Sequence, residues 1–190
     1  MTQDTDFETA SARLRTQHQQ AEQRESYYHE ARVLLLIAQF TTARGGLAGL
    51  TKLAKLDFLL RYPVMLERLL PAGEASWPAG TAPSAPERLA VESRMIRYKY
   101  GPWDQRYYSI LGSLAARGLI TYHGGERTEF SVTDRGAAAA SSLAASPEWA
   151  VVVERIRLLK KQFNKSGSAL KKLIYDQLPD AVDRPHRSVI

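Results

Sequence analysis

One stretch of this chain leaves little choice of local structure: residues 94–136, RMIRYKYGPWDQRYYSILGSLAARGLITYHGGERTEFSVTDRG. Met95 to Tyr100 reads as a strand. Gly101-Pro102 is expected to end it, because proline lacks a backbone donor and fixes φ. Trp103, Tyr107, Ile110, Leu111 and Leu114 then fall on one helical face, which predicts a helix over Trp103 to Arg117. Gly118 stands where a C′ glycine belongs. Leu119 to His123 and Thr128 to Val132 alternate like half-buried strands, and His123-Gly124-Gly125-Glu126 suits the tight turn between them. Thr133 is placed to cap a further helix. Strand, helix, hairpin and capped helix, in that order, predict a winged helix.

The flanking segments extend this core. Residues 1–25 are polar, with Phe7, Ala10 and Leu14 as a weak stripe, and are expected to be a frayed helix or disordered. Tyr28 to Phe40 is apolar nearly all round and predicts a buried central helix. Leu47 to Tyr62 predicts a second helix, with Leu50, Leu53, Leu56 and Leu60 on its apolar side. Asp57 falls on or beside that stripe. A partly buried carboxylate needs a partner, and Arg61, four residues on, has the ion-pair spacing. An Asp57–Arg61 pair, or Asp57 bonded to neighbouring backbone, is the structural expectation. Pro63 ends this helix or opens a short one that includes Met65 to Leu70. Pro71 to Pro86 is a proline-rich loop whose one bulky group, Trp77, either tucks onto the core or anchors a partner. The C-terminal part predicts an alanine-rich helix to Ala145, a helix from Pro147 to Asn164 with Arg155, Arg157, Lys160, Lys161 and Lys165 on its basic side, and a last one from Ala169 to Leu178.

The organisation expected is therefore mainly α with a small antiparallel β wing: a winged helix-turn-helix core over 26–145 with its proline-rich loop at 71–86, a polar segment at 1–25, and basic C-terminal helices and tail at 146–190. The chain has no cysteine, which excludes disulfides, thiolate metal sites and a cysteine nucleophile. No apolar run is long enough to span a bilayer, and the first residues lack the basic and apolar regions of a secretory signal, so a cytosolic bacterial protein with no membrane partner is expected. His18, His29, His123 and His186 lack metal-ligand spacing, and neither H-E-x-x-H nor G-x-S-x-G occurs. Gly46 to Lys52 has the wrong spacing and order for a phosphate loop. No catalytic residue, metal or cofactor is assigned, and a binding or assembly module is the expectation.

The net charge of +6 makes nucleic acid a possible partner. Candidate contacts to double-stranded DNA are Arg94, Arg97 and Lys99 beside the first strand, Arg106 and Arg117 on the helix before the wing, Arg127 on the wing, and Arg157, Lys160 and Lys161 near the C-terminus. The outward face of the helix before the wing, Gln105, Arg106, Ser109, Gly112, Ser113 and Ala116, carries little charge for a helix that reads bases. Nonspecific or protein contact is favoured over sequence reading, and a solvated basic face is the plainer alternative.

GLTKLAKLDFLLRYP (49–63), RYKYGPWDQRYYSILGSLAARGLI (97–120) and the T-x-x-G at Thr133 together resemble the middle components of ABC three-component systems, small winged-helix proteins of bacterial anti-phage defence that include the accessory subunit of Lamassu-type complexes. The resemblance implies a non-enzymatic subunit that joins an SMC/Rad50-like ATPase to an effector, often a nuclease. The alternative is a stand-alone winged-helix DNA-binding regulator or antitoxin.

Overall fold

The structure is a computed structural model, and it describes residues 2–70, 77–89, 96–98, 101–124 and 128–179. The first helix, α1 (Thr2–Phe40), is continuous through residue 25. Its residues 13–24 are all exposed, whereas Val33, Leu36 and Ile37 are fully buried. The compositional break near Tyr27 is thus a change of burial within one helix.

A short strand follows, β1 (Leu47–Ala48), then α2 (Leu50–Arg61) and α3 (Pro63–Leu69). Leu47 was expected in the helix. It pairs instead with Phe130 across the sheet, because Gly49 at φ 89° turns the chain between strand and helix. Helix α2 is buried from Leu53 through Arg61, so its apolar side is not its only inner side. Pro63 takes the first turn of α3, where its missing donor costs nothing.

Within the proline-rich segment, residues 77–84 are irregular and lead into α4 (Ala85–Leu89). A two-stranded ribbon comes next, β2 (Ile96–Tyr98) paired antiparallel with β3 (Gly101–Trp103). Gly101-Pro102 therefore opens a second strand rather than closing the first. Pro102 is tolerated because a two-stranded ribbon consists of edges. Helix α5 (Tyr107–Ala116) accordingly begins four residues later than its apolar period implies, after a turn in which the Asp104 carboxylate accepts from the Arg106 backbone N–H at 2.9 Å.

Strands β4 (Ile120–His123) and β5 (Glu129–Val132) form the expected hairpin. The Gly-Gly turn proposed for it falls partly outside the described residues, as do Met95, Lys99 and Tyr100 of the first strand. Gly118 adopts φ 66° at the end of α5. With β1 on the outer side of β5, the three strands make an antiparallel sheet in the order β1-β5-β4. The Thr133 hydroxyl accepts from the Gly136 N–H at 3.0 Å to cap α6 (Asp134–Ala144). A 3₁₀ turn at Pro147–Trp149 leads into α7 (Ala150–Phe163), and Ser166 caps α8 (Gly167–Gln177). The core is α1 from Val33 to Phe40, α2 from Leu53 onward, the inner face of α5, the inner side of the sheet, and the apolar faces of α7 and α8. The architecture is mainly helical with one small antiparallel sheet.

Candidate functional site

The site is the place where α1, α2 and the start of α5 meet, because there the helix before the hairpin spends its charge. Arg32 of α1 and Asp57 of α2 are both buried. The Arg32 guanidinium donates to Asp57 through Nε–Oδ1 at 2.7 Å and Nη2–Oδ2 at 3.1 Å, the two-pronged geometry that makes arginine–carboxylate pairs strong. The Tyr107 hydroxyl of α5 donates to Asp57 Oδ2 at 2.7 Å. Burial alone would push the Asp57 carboxyl up; the Arg32 guanidinium and the field of Arg61 outweigh it and hold it below the usual carboxylate range. Burial and the adjacent carboxylate push the Tyr107 phenol well above its ordinary value, so it stays a donor.

A second layer lies next to this pair. Arg61 donates to Asp104 Oδ2 at 2.8 Å. Arg106 reaches the same carboxylate through Nη2 at 2.7 Å and Nε at 3.0 Å, and Glu25 Oε1 through Nη1 at 3.0 Å. Burial opposes ionisation of Asp104, but the Arg106 hydrogen bonds prevail and bring it down to about 2. His29 sits between the layers, its Nδ1 2.7 Å from Arg32 Nη1 and its Nε2 3.2 Å from Glu25 Oε1. Burial, then Arg32 and Arg106, lower its pKa to about 4, so the ring is neutral at pH 7. A neutral ring has one acceptor nitrogen. Both ring nitrogens face arginine donors, Nδ1 that of Arg32 and Nε2 also that of Arg106, whose Nη1 lies 2.8 Å away, and the neutral ring accepts from one of the two. Arg32, Arg61 and Arg106 thereby balance Asp57, Asp104 and Glu25 around a neutral imidazole.

This geometry corrects two expectations. Asp57 is satisfied by Arg32 and Tyr107, and Arg61 acts on it only through its field while bonding Asp104. The i, i+4 spacing placed the two residues on one helix side, but tertiary partners on α1 and α5 offered better-aligned donors and acceptors. Arg106 was a candidate DNA contact; it is turned inward onto Asp104 and Glu25. Arg32, His29 and Glu25 were missed. For Arg32 the need for a partner was visible, because an arginine inside an otherwise apolar helix needs a buried carboxylate just as Asp57 needs a cation, although which carboxylate was not.

The other candidates disperse. Arg117 lies 3.2 Å from a Glu30 carboxylate oxygen and over the Tyr27 ring. Arg157 pairs with Glu154. Lys160 donates to the Gln39 carbonyl at 2.6 Å, and Lys161 is exposed. Arg94, Lys99 and Arg127 lie outside the described residues, and Arg97 pairs with Pro102 in the β2–β3 ribbon. Arg155, assigned to the basic solvent side of α7, is buried. It donates to Glu87 at 2.6 and 3.0 Å and to the Thr81 carbonyl at 2.9 Å, clamping the proline-rich segment to α7. Those hydrogen bonds, chiefly, bring Glu87 down to about 2. Trp77 is half-buried against the core, beneath Arg155 and bonded to Glu67 at 3.3 Å; it tucks inward and is not presented as an anchor.

What α5 does present outward is uncharged. Tyr108 and Gly112 form one wall of an open groove of about 690 Å³ shared with the sheet and the N-terminal turns of α2 and α8. Among the described residues no group of three or more His, Asp or Glu side chains is placed to hold a metal ion, and no helix is long and apolar enough to cross a membrane. Comparison of the chain with protein-family models, curated proteins and solved structures finds no match.

Proposed function

We propose that this chain is a non-catalytic accessory subunit that bridges an SMC/Rad50-like ATPase and an effector nuclease in an anti-phage defence complex, with any contact to DNA being nonspecific. Its core is read as a winged helix-turn-helix with extra helices at both ends. The element order supports that core: α1, β1, α2, then after the ribbon α5, β4 and β5, with a β1-β5-β4 sheet. The sequence resemblance of 49–63 and 97–120 supplies the kind of complex.

The observation that carries the assembly role is the division of α1. Its second half is core, but residues 13–24 continue the same helix with every side chain exposed. A helix that is polar all round gains nothing from packing and depends on something outside itself to be useful. The inward turn of Arg106 supports the same reading, since it removes the strongest base or phosphate contact from α5.

Expression together with the products of the neighbouring genes tests the proposal. The expected result is co-elution with a coiled-coil ATPase and an effector, lost when residues 1–24 are deleted from this chain. Elution of the chain by itself, with the ATPase and effector elsewhere, overturns it. Tight binding of a palindromic duplex by a dimer would instead favour the stand-alone regulator.

A further inference from the structure

The exposed half of α1 carries a pattern that complements itself. Leu14 is the one bulky apolar residue between residues 13 and 24, and it is 66% exposed. Arg13 and Arg15 flank it and are exposed too. One heptad earlier the sequence reads Asp6-Phe7-Glu8. The helix is continuous over both triplets. Seven residues make two turns, so Phe7 and Leu14 occupy one face of the helix, with Ala10 between them. The first triplet is acid–apolar–acid and the second is base–apolar–base.

Neither charge finds its opposite along the helix. No Asp or Glu stands three or four residues from Arg13 or Arg15, and no Lys or Arg stands three or four residues from Asp6 or Glu8. The intrahelical ion-pair spacings are therefore unused. Among the described residues neither arginine has a hydrogen-bond or ion-pair partner. Acidic residues near a helix N-terminus suit its dipole. Two arginines around an exposed leucine, two turns further along, have no such account.

We propose that this stretch of α1 pairs antiparallel with the same stretch of a second copy of the chain. Reversing one helix sets residues 6–8 of each copy level with residues 13–15 of the other, about a two-fold axis between Ala10 and Ser11. Phe7 then stands level with Leu14, Asp6 with Arg15 and Glu8 with Arg13. Each pairing occurs twice, as an isologous contact requires. A parallel pair sets like charges level and is disfavoured. At 1.5 Å per residue, His29 and its copy lie about 55 Å apart along the pair, so the two folded bodies do not collide. DNA is repelled by the acidic triplet, and a partner of one charge sign matches only one triplet. The inference rests on the reading of this half of α1 as an assembly element, and is independent of which ATPase or effector the chain joins.

Sedimentation of the purified full chain from about 1 to 300 µM tests this, because a contact between two short helical stretches lies at the small, weak end of interfaces. The expected result is a monomer–dimer equilibrium that weakens as salt is raised. Arg13→Glu with Arg15→Glu, and separately Asp6→Lys with Glu8→Lys, should each weaken dimerisation at least about tenfold. An equimolar mixture of these two double variants should form a mixed dimer. The chain has no cysteine, so single introduced thiols read the direction of pairing. Ala10→Cys, beside the axis, should oxidise to a linked dimer. Gln20→Cys should not, since residue 20 and its copy lie about 28 Å apart along the pair. A wild-type monomer throughout the range, a dimer indifferent to either charge reversal, no mixed dimer, or linkage through Gln20→Cys overturns the proposal. A monomeric chain that still co-elutes with an ATPase and an effector overturns this inference alone. A dimer with the expected variant behaviour that co-elutes with neither supports this inference and overturns the proposed function alone.

Discussion

Arg32 and Lys55 are both cations sealed inside the protein, at 2% and 1% exposure, yet their surroundings are opposite. Arg32 meets a carboxylate, a phenol-anchored network and an imidazole. Among the described residues Lys55 bonds one carbonyl, that of Pro102 on β3, at 3.0 Å. Asp57 lies two residues after Lys55, about 200° around the same helix, so the carboxylate that serves Arg32 faces away from Lys55. The protonation equilibria follow the surroundings. Burial works against the charged form of Arg32, but Asp57 overrides it and raises its pKa. Burial, reinforced by Lys171, lowers Lys55 to about 7. One face of α2 thus holds a compensated charge that fastens three elements, and the other an uncompensated charge beside the β2–β3 ribbon. Burial does not decide whether an ion is structural; the partner does.

The sharpest way to break that contrast is to remove the partner. Asp57→Ala should cost about 3–5 kcal/mol, because it leaves Arg32 buried and alone, and urea denaturation measures this. Adding Arg32→Met to Asp57→Leu should recover most of the loss; if the double variant is no better than the single one, the network does more than neutralise charge. Tyr107→Phe keeps the pair and removes one hydrogen bond to an ion, with an expected loss of about 2 kcal/mol. His29 makes the network sensitive to acid. Its folded pKa is about 4 against an ordinary 6.5, so between those values the unfolded chain binds the extra proton. Stability should therefore fall as pH drops from 6.5 to 4, on the order of 3 kcal/mol. His29→Gln should flatten that slope, and an unchanged slope would remove His29 from the network's titration.

The elements that proved legible in the sequence are those whose signals are local. The apolar period of α5, Gly118 after it, the Thr133 cap and the alternation of β4 and β5 all lie within a few residues of what they specify. The failures are failures of reach. Strand β1 is two residues long, too short to alternate, and exists because Phe130 offers it an edge. Strand β3 is made a strand by its pairing with β2, against its own proline. That Asp57 requires a partner could be inferred from its helical position; that the partner is Arg32 could not, because a sequence displays i, i+4 neighbours and not facing helices. The same blindness placed Arg106 and Arg155 on solvent faces, although Glu25 and Glu87 hold them inside.

The smallest effect bears on the less supported half of the comparison. Lys55→Met keeps the length of the side chain, removes the buried charge and leaves the Pro102 carbonyl without its donor. Loss of the charge should outweigh loss of that single neutral acceptor's bond, giving a net gain of about 1 kcal/mol near pH 6. The sign with pH is fixed by the lowered pKa. The ordinary value is 10.5 and the folded one about 7, so between them the unfolded chain binds more protons and the wild type gains stability as pH rises. The advantage of the variant should be complete below pH 7, vanish within about one pH unit above it because each unit is worth about 1.4 kcal/mol, and reverse toward 10.5, where the wild-type amine is neutral in both states and still able to donate to Pro102. Paired urea curves across that range read it directly. An advantage independent of pH would mean that Lys55 is charged and compensated in the folded protein, and that α2 buries two served ions instead of one.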